Sequence, residues 1–437
     1  MRAIDRSILR LAVPALGALI AEPLFLLTDS ALIGHLGTVP LAGLGIAAAV
    51  LQTIIGLLVF LAYATTPAVA RRLGAGDRRG AVAAGVDAVW LSVGIGVVVA
   101  TAGAAATPAL VGLFGASEAV SEQAAIYLSV SMAGVPAMLI VFAATGLLRG
   151  LQDTTTPLVV AVVGFAANAA LNVALVYGAQ LGIAGSALGT VIAQWGMVAA
   201  YLVVIRRHVR RTGAGLRPAF AGIRESASAG GWLLLRTASL RAAMLLAVGV
   251  ASGVGTDTLA GYQLVITIFS TTAFALDALA IAAQALVGHG LGAGDTAEVS
   301  LVLRRCLLWG VGFGVVVGAV VVACSGVIGL ALSGDPALAE LIRPSLIALG
   351  VASPLAGFVF VLDGVLIGAG DARYLALTGV VNLAVSVPLF LLAPALPGSG
   401  ATTLLWLTIA VTGGYMLARA VTLGLRARSD AWRRLGV

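Results

Sequence analysis

The chain has 437 residues, of which 60% are hydrophobic and only 10% charged, with a mean hydropathy of +1.10 and a formal charge of +7. About a quarter of the residues in a water-soluble globule are charged, so this composition excludes such a globule and makes lipid the solvent. All 25 basic residues are arginine, which excludes a phosphate-loop lysine and with it an ATP-driven pump of that type within the chain.

Apolar runs of at least 18 residues recur twelve times, each long enough to cross roughly 30 Å of hydrocarbon at about 1.5 Å per residue. They fall at 8–33, 41–70, 83–107, 124–148, 156–178, 181–205, 228–252, 258–288, 303–331, 341–368, 373–394 and 402–425. The first run is interrupted by Pro14, Glu22 and Pro23 and has no small-residue cleavage site behind it, so it reads as a membrane helix and not as a signal peptide. The expected fold class is an all-α integral membrane protein with twelve transmembrane helices. Cys306 and Cys324 both fall in the ninth run, about 27 Å apart along a helix and too far from each other to bridge.

Arginine marks one face of the membrane. Arg2, Arg6, Arg10, Arg71, Arg72, the run RRHVRR at 206–211 and the tail from Arg419 to Arg434 lie at the ends or in even-numbered connections, whereas Arg343 is the only basic residue of the odd-numbered ones. By the positive-inside rule both termini are cytoplasmic, and the basic charge is a topology signal rather than a nucleic-acid surface.

The pentapeptide LGAGD occurs at 73–77 and again at 291–295, an offset of 218 residues. The same offset superposes Pro136 on Pro354, Phe142 on Phe360, Gly146 on Gly364, Gly150 on Gly368 and Asp153 on Asp371, so the chain is read as a duplication. The expected organisation is a six-helix lobe at 1–205, a cytoplasmic linker at 206–227 and a second six-helix lobe at 228–437. An even number of helices returns the chain to the same side, which makes the repeat parallel and places a transporter's substrate between the halves. Within LGAGD, glycine permits a tight turn and Asp can cap the following helix; a phosphate-binding reading has little support.

Five motifs, in order, carry a resemblance over essentially the whole chain: EPLFLLTDSALIGHLG at 22–37, LRGLQDTTTP at 148–157, GIAGSALGTVIAQ at 182–194, LDALAIAAQALVGHGLGAGD at 276–295 and LDGVLIGAGD at 362–371. The sequence is similar to multidrug and toxic compound extrusion (MATE) transporters of the DNA-damage-inducible F-like bacterial branch. That resemblance implies two lobes forming a V, export of amphipathic and often cationic compounds, and drive by protons or sodium ions.

A carboxylate such as Asp29, inside the first span, is costly in hydrocarbon and usually faces a cavity or moves ions, the alternative being an interfacial Asp solvated at the helix mouth. The resemblance places Asp29 at the family's first-helix coupling acid and Pro14 at the bend upstream of it. It also implies partners at Asn168, Asn172 and Thr190. Asn172 departs from the family pattern, in which this position is commonly Asp, so a two-carboxylate cation site is put in doubt. Asn and Thr can equally serve as simple interhelical hydrogen bonders. Glu22, two helical turns before Asp29, either extends a water-lined path or sits in a helix interface.

In the second half Asp277, Asp363, Arg236 and Arg241 fall within spans. A structural charged cluster or inner gate built from Asp277, Asp363 and Arg236 competes evenly with a second coupling site. The sodium-coupled branch's second-lobe acids have no match here, where Arg236 and Ala356 stand, which favours protons. Asp87 is expected to be solvated near a helix end. His35, His208 and His289 lie at span ends or connections without a metal-binding spacing.

The resulting expectation is a secondary antiporter, not an enzyme, in the cytoplasmic membrane of a bacterium, with proton entry at Asp29 driving efflux by alternating access. The expected partners are small amphipathic molecules, protons and the bilayer. No cofactor, metal or nucleic acid is expected, and the chain is expected to act as a monomer. The rivals are a lipid-linked precursor flippase of the same superfamily, which needs a strongly cationic cavity, and a membrane-embedded enzyme, for which no nucleophile with a positioned base is found.

Overall fold

The computed structural model describes residues 2–395 and 400–436, which are helical almost throughout and contain no strand. The helices are α1 (Arg2–Gly34), α2 (Thr38–Leu58), α3 (Phe60–Gly74), α4 (Arg78–Gly112), α5 (Glu118–Met132), α6 (Val135–Gly150), α7 (Thr155–Val173) and α8 (Gly182–Thr212) in the first half of the chain. The second half holds α9 (Phe220–Val254), α10 (Thr256–Gly292), α11 (Thr296–Ala323), α12 (Ser325–Ser333), α13 (Pro336–Gly368), α14 (Ala372–Leu391), α15 (Gly400–Ile409) and α16 (Met416–Arg428). Eleven stretches are long and apolar enough to cross a membrane, and α5 with α6, bent by 48° at their junction, makes a twelfth. Large apolar side chains such as Val98, Leu245, Val316 and Val351 point outward, more than 60% exposed, as a lipid solvent permits.

Three of the expected spans are interrupted, and the second breaks at Val59, which separates α2 from α3. The fourth breaks at Ala133 and Gly134, because Pro136 enters α6 in its first turn, where its missing N–H and its ring interrupt the ladder of the preceding turn. The ninth breaks at Cys324, which separates α11 from the short α12; Cys306 is buried, Cys324 is exposed, and both are free thiols. The basic connection is largely helical: α8 runs on to Thr212 and closes on Gly213 in the left-handed conformation (φ 69°), and α9 begins at Phe220.

The duplication is visible as packing. A Cβ at Gly146 would lie 2.8 Å from the carbonyl oxygen of Ala62, and one at Gly364 would lie 2.5 Å from that of Ala280, which is 218 residues on. A Cβ at Gly150 would lie 2.7 Å from the carbonyl oxygen of Thr66 and one at Gly368 would lie 2.6 Å from that of Gln284, again the same pair of positions. Gly96 against Pro136 and Gly314 against Pro354 form a third matched pair, where an added Cβ would lie 2.6 and 2.9 Å from the proline Cα. Each glycine lets two helix backbones approach more closely than any side chain would allow, the usual device of membrane helix pairs. The two LGAGD turns also match. Gly76 and Gly294 have φ of 82° and 74°, Asp77 Oδ1 accepts from Gly80 N at 2.7 Å, and Asp295 Oδ1 accepts from Glu298 N at 2.8 Å, so each aspartate caps the helix after it.

The described chain divides into two compact units. One is Val13–Gly230, and the other holds the chain up to Ala12 with Gly231–Gly436. In the latter the first turns of α1 are tied down by Asp5, which accepts a hydrogen bond from Trp309 Nε1 at 3.1 Å.

Candidate functional site

Asp29 sits on α1, buried to 4% exposure, and its carboxylate is met by three neutral donors from three other helices. Tyr127 of α5 donates its hydroxyl to Oδ2 at 3.0 Å, Asn172 of α7 donates Nδ2 to Oδ1 at 2.9 Å, and Ser186 of α8 donates its hydroxyl to Oδ1. The network continues outward: Asn172 Nδ2 also reaches Asn168 Oδ1 at 3.1 Å, and Asn168 Nδ2 donates to Thr190 Oγ1 at 2.9 Å. Asn168, Asn172, Ser186 and Thr190 are all buried.

Local sequence explains the convergence. Asn168 and Asn172 are one turn apart on one face of α7, and Ser186 and Thr190 stand in the same relation on α8. Gly189 lies beside Asn172, where a methyl group would collide with Oδ1, so a glycine on α8 lets the amide reach Asp29. Immediately after Asn172 and Val173 the helix turns into a π-helical stretch, Ala174–Gly178, a distortion that often marks functional segments. Pro14 and Pro23 both lie within the continuous helix α1.

Of the residues the sequence singled out here, Asp29, Asn168, Asn172 and Thr190 share one network, while the side chain of Glu22 lies outside the described residues. Tyr127 and Ser186 were missed. Ser186 had a signal, standing four residues before Thr190 inside a quoted motif; Tyr127 had none, because nothing local ties a tyrosine on α5 to an aspartate 98 residues earlier.

The second half holds a different arrangement. Asp363 on α13 accepts Arg236 Nε at Oδ1 (3.1 Å), a second Arg236 nitrogen at Oδ2, and Arg419 at Oδ1 across 3.2 Å. All three residues are below 10% exposure. Arg419, grouped by sequence with the basic tail at the chain end, is carried by α16 back among α13 and α14, where burial demands a carboxylate partner. A π-helical stretch, Ala410–Tyr415, precedes it on the same span. Asp277 is half-buried on α10. Arg241 is exposed.

Asp87 also departs from expectation. It is buried to 5% exposure, and Oδ1 accepts the backbone N–H of Ala219 at 2.8 Å, just before α9 begins. The basic connection folds back over α4, which removes the carboxylate from solvent.

The MatE family's sequence model matches residues 14–174 and 236–392, on both sides of the basic connection. The chain belongs to the MatE family. It is 29% identical over 438 residues to DNA damage-inducible protein F of Escherichia coli, covering 98% of this chain and 92% of that one. It is 28% identical over 445 residues to Protein DETOXIFICATION 44, chloroplastic, of Arabidopsis thaliana, covering 99% and 84%. Among solved structures, a mutant of the Vibrio cholerae MATE transporter VcmN superposes with a TM-score of 0.90 at 19% identity over 99% of both chains. A MOP superfamily transporter from Pyrococcus furiosus gives 0.87 at 21% identity over 98% and 97%. This MatE chain is therefore a multi-pass membrane transporter with the MATE fold.

Proposed function

We propose that this MatE transporter is a proton-coupled antiporter that exports amphipathic, often cationic compounds, with Asp29 as the coupling acid. The observation that carries the reading is a buried carboxylate held by hydroxyl and amide donors with no basic side chain among its hydrogen-bond partners. Such a group changes the charge of its surroundings by a full unit when it gains or loses a proton, and flexible hydroxyls adjust to either state. The donors of Tyr127, Ser186 and Asn172 occupy lone pairs that a sodium ion would need, which supports a proton as the driving ion. Substrate and proton then alternate in the lobe formed by the first six spans, in a bacterial cytoplasmic membrane with both termini inside.

The driving force suffices. A tenfold substrate gradient costs about 1.4 kcal/mol for a neutral compound. Each net charge moved across 100 mV contributes about 2.3 kcal/mol and each pH unit about 1.4 kcal/mol per proton, and for a monovalent cation exchanged against one proton the voltage contribution cancels and the pH gradient alone drives export. The test is transport in proteoliposomes with an imposed pH gradient, the external sodium salt being replaced by choline. Transport that persists in choline and collapses with the pH gradient supports the reading, and a strict sodium requirement overturns it.

A further inference from the structure

Away from the Asp29 network, a cavity of about 280 Å³ opens among α3, α4 and the first turns of α9, within the unit that also holds Asp29. The space exists because its walls are nearly all short side chains: Ala64, Ala68, Ala83, Ala221 and Ala229, with Gly222. Three charged groups line it. Arg72 donates to Glu225 Oε2 at 2.9 Å and to the Ala68 carbonyl at 3.2 Å, so a single guanidinium faces two carboxylates, Glu225 and Asp87. The Oδ1 of Asp87 holds Ala219 N, and Oδ2 accepts no hydrogen bond from any described residue although Asp87 is only 5% exposed. Gly222 keeps that oxygen accessible, since a methyl group there would collide with Oδ2.

We propose that this cavity is a binding site for an alkylammonium group, with Asp87 Oδ2 as the acceptor that fixes it. With two carboxylates and one guanidinium the lining carries one net negative charge, which calls for one positive charge, because excess buried charge is costly. The apolar alanine walls suit a carbon chain next to that charge, and Ser226 on the rim adds a further acceptor for an ammonium hydrogen. A metal ion fits less well, since no trio of His, Cys, Asp or Glu gathers among the described residues. At about 280 Å³ the space takes a head group and a few carbons, just below the roughly 300–1,000 Å³ of sites that hold whole drug-sized ligands. Resting on the export reading above, the site is where the cationic end of a substrate is first held on the arginine-rich side of the first half.

The test is saturation-transfer NMR of n-butylammonium with the full chain in phosphatidylcholine nanodiscs, with 1-butanol as the uncharged control. Saturable binding of butylammonium but not butanol is expected, weakened at least tenfold by Asp87→Asn and strengthened by Arg72→Gln. Asparagine keeps an acceptor for Ala219 N; should that variant still fail to fold, Ala83→Leu fills the cavity without altering either carboxylate and abolishes binding as well. Equal binding in wild type and Asp87→Asn, equal binding of butanol, or no saturable binding overturns the site. Exchanging the lipid for phosphatidylethanolamine separates the two sources of the group: competition assigns the site to a lipid head group, and its absence to free amines. Asp29→Asn should leave this binding intact, so failure of the antiport reading and failure of the site are distinguishable.

Discussion

Positions 145 and 201 of the first half and 363 and 419 of the second are equivalent under the 218-residue repeat, and they solve the same packing problem with opposite chemistry. Thr145 and Tyr201 share a hydrogen bond of 3.0 Å between hydroxyls, whereas Asp363 and Arg419 form an ion pair of 3.2 Å that Arg236 completes. A residue away, Gly146 and Gly364 make the same backbone approach in both halves. The glycine frame of the duplication has been kept while the polar pair beside it diverged. The charge that titrates in our proposal lies elsewhere in the first half, at Asp29, which has neutral donors only. Asp153 and Asp371 repeat the lesson: the first caps its own helix, accepting from Thr156 N at 2.9 Å, and the second binds Arg426 at 2.6 Å.

The sharpest way to break this contrast is to neutralise each aspartate in turn. Asp29→Asn should reduce pH-driven efflux in proteoliposomes to the uncoupled background while the protein still folds, since an amide of the same size cannot titrate. Retained coupling would remove Asp29 from the mechanism. Asp363→Asn should instead act on stability, removing the carboxylate that Arg236 and Arg419 share, at a cost of about 3–5 kcal/mol, read from thermal or denaturant unfolding in detergent. A double-mutant cycle of Arg236 with Asp363 should return a coupling energy of about 0.5–3 kcal/mol. If Asp363→Asn is stable yet uncoupled, the two halves share the proton chemistry and the contrast fails.

Smaller effects test the frame itself. Gly146→Ala and Gly364→Ala should each destabilise by about 1–3 kcal/mol through overpacking, with Gly364 the worse because its carbonyl neighbour is nearer. Gly231→Ala, where nothing stands within 4 Å, should be neutral or stabilising by up to about 1 kcal/mol. Last, Tyr201→Phe should cost only about 0.5–1.5 kcal/mol, the worth of one hydrogen bond, far less than loss of its charged counterpart Arg419.

Much was legible without coordinates because it depends on local composition and periodicity. Twelve apolar runs follow from the thickness of the bilayer, and the duplication follows from a single offset that serves both LGAGD turns and the Gly146/Gly364 motifs. Asp29 declared itself by its cost in lipid, and the resemblance to MATE transporters pointed to Asn168, Asn172 and Thr190 as its partners. What the tertiary structure decided are contacts between helices distant in the chain, which no spacing encodes. It put Tyr127 on Asp29, drew Arg419 out of the tail onto Asp363, and folded the connection back so that Asp87 lost its solvent. It also separated two equivalent prolines: Pro136, two residues after Gly134, breaks its span, while Pro354, two residues after Ala352, lies within a continuous α13. A proline removes one hydrogen bond in either setting; whether the helix bends there depends on the residues and neighbouring helices that hold the preceding turn in place.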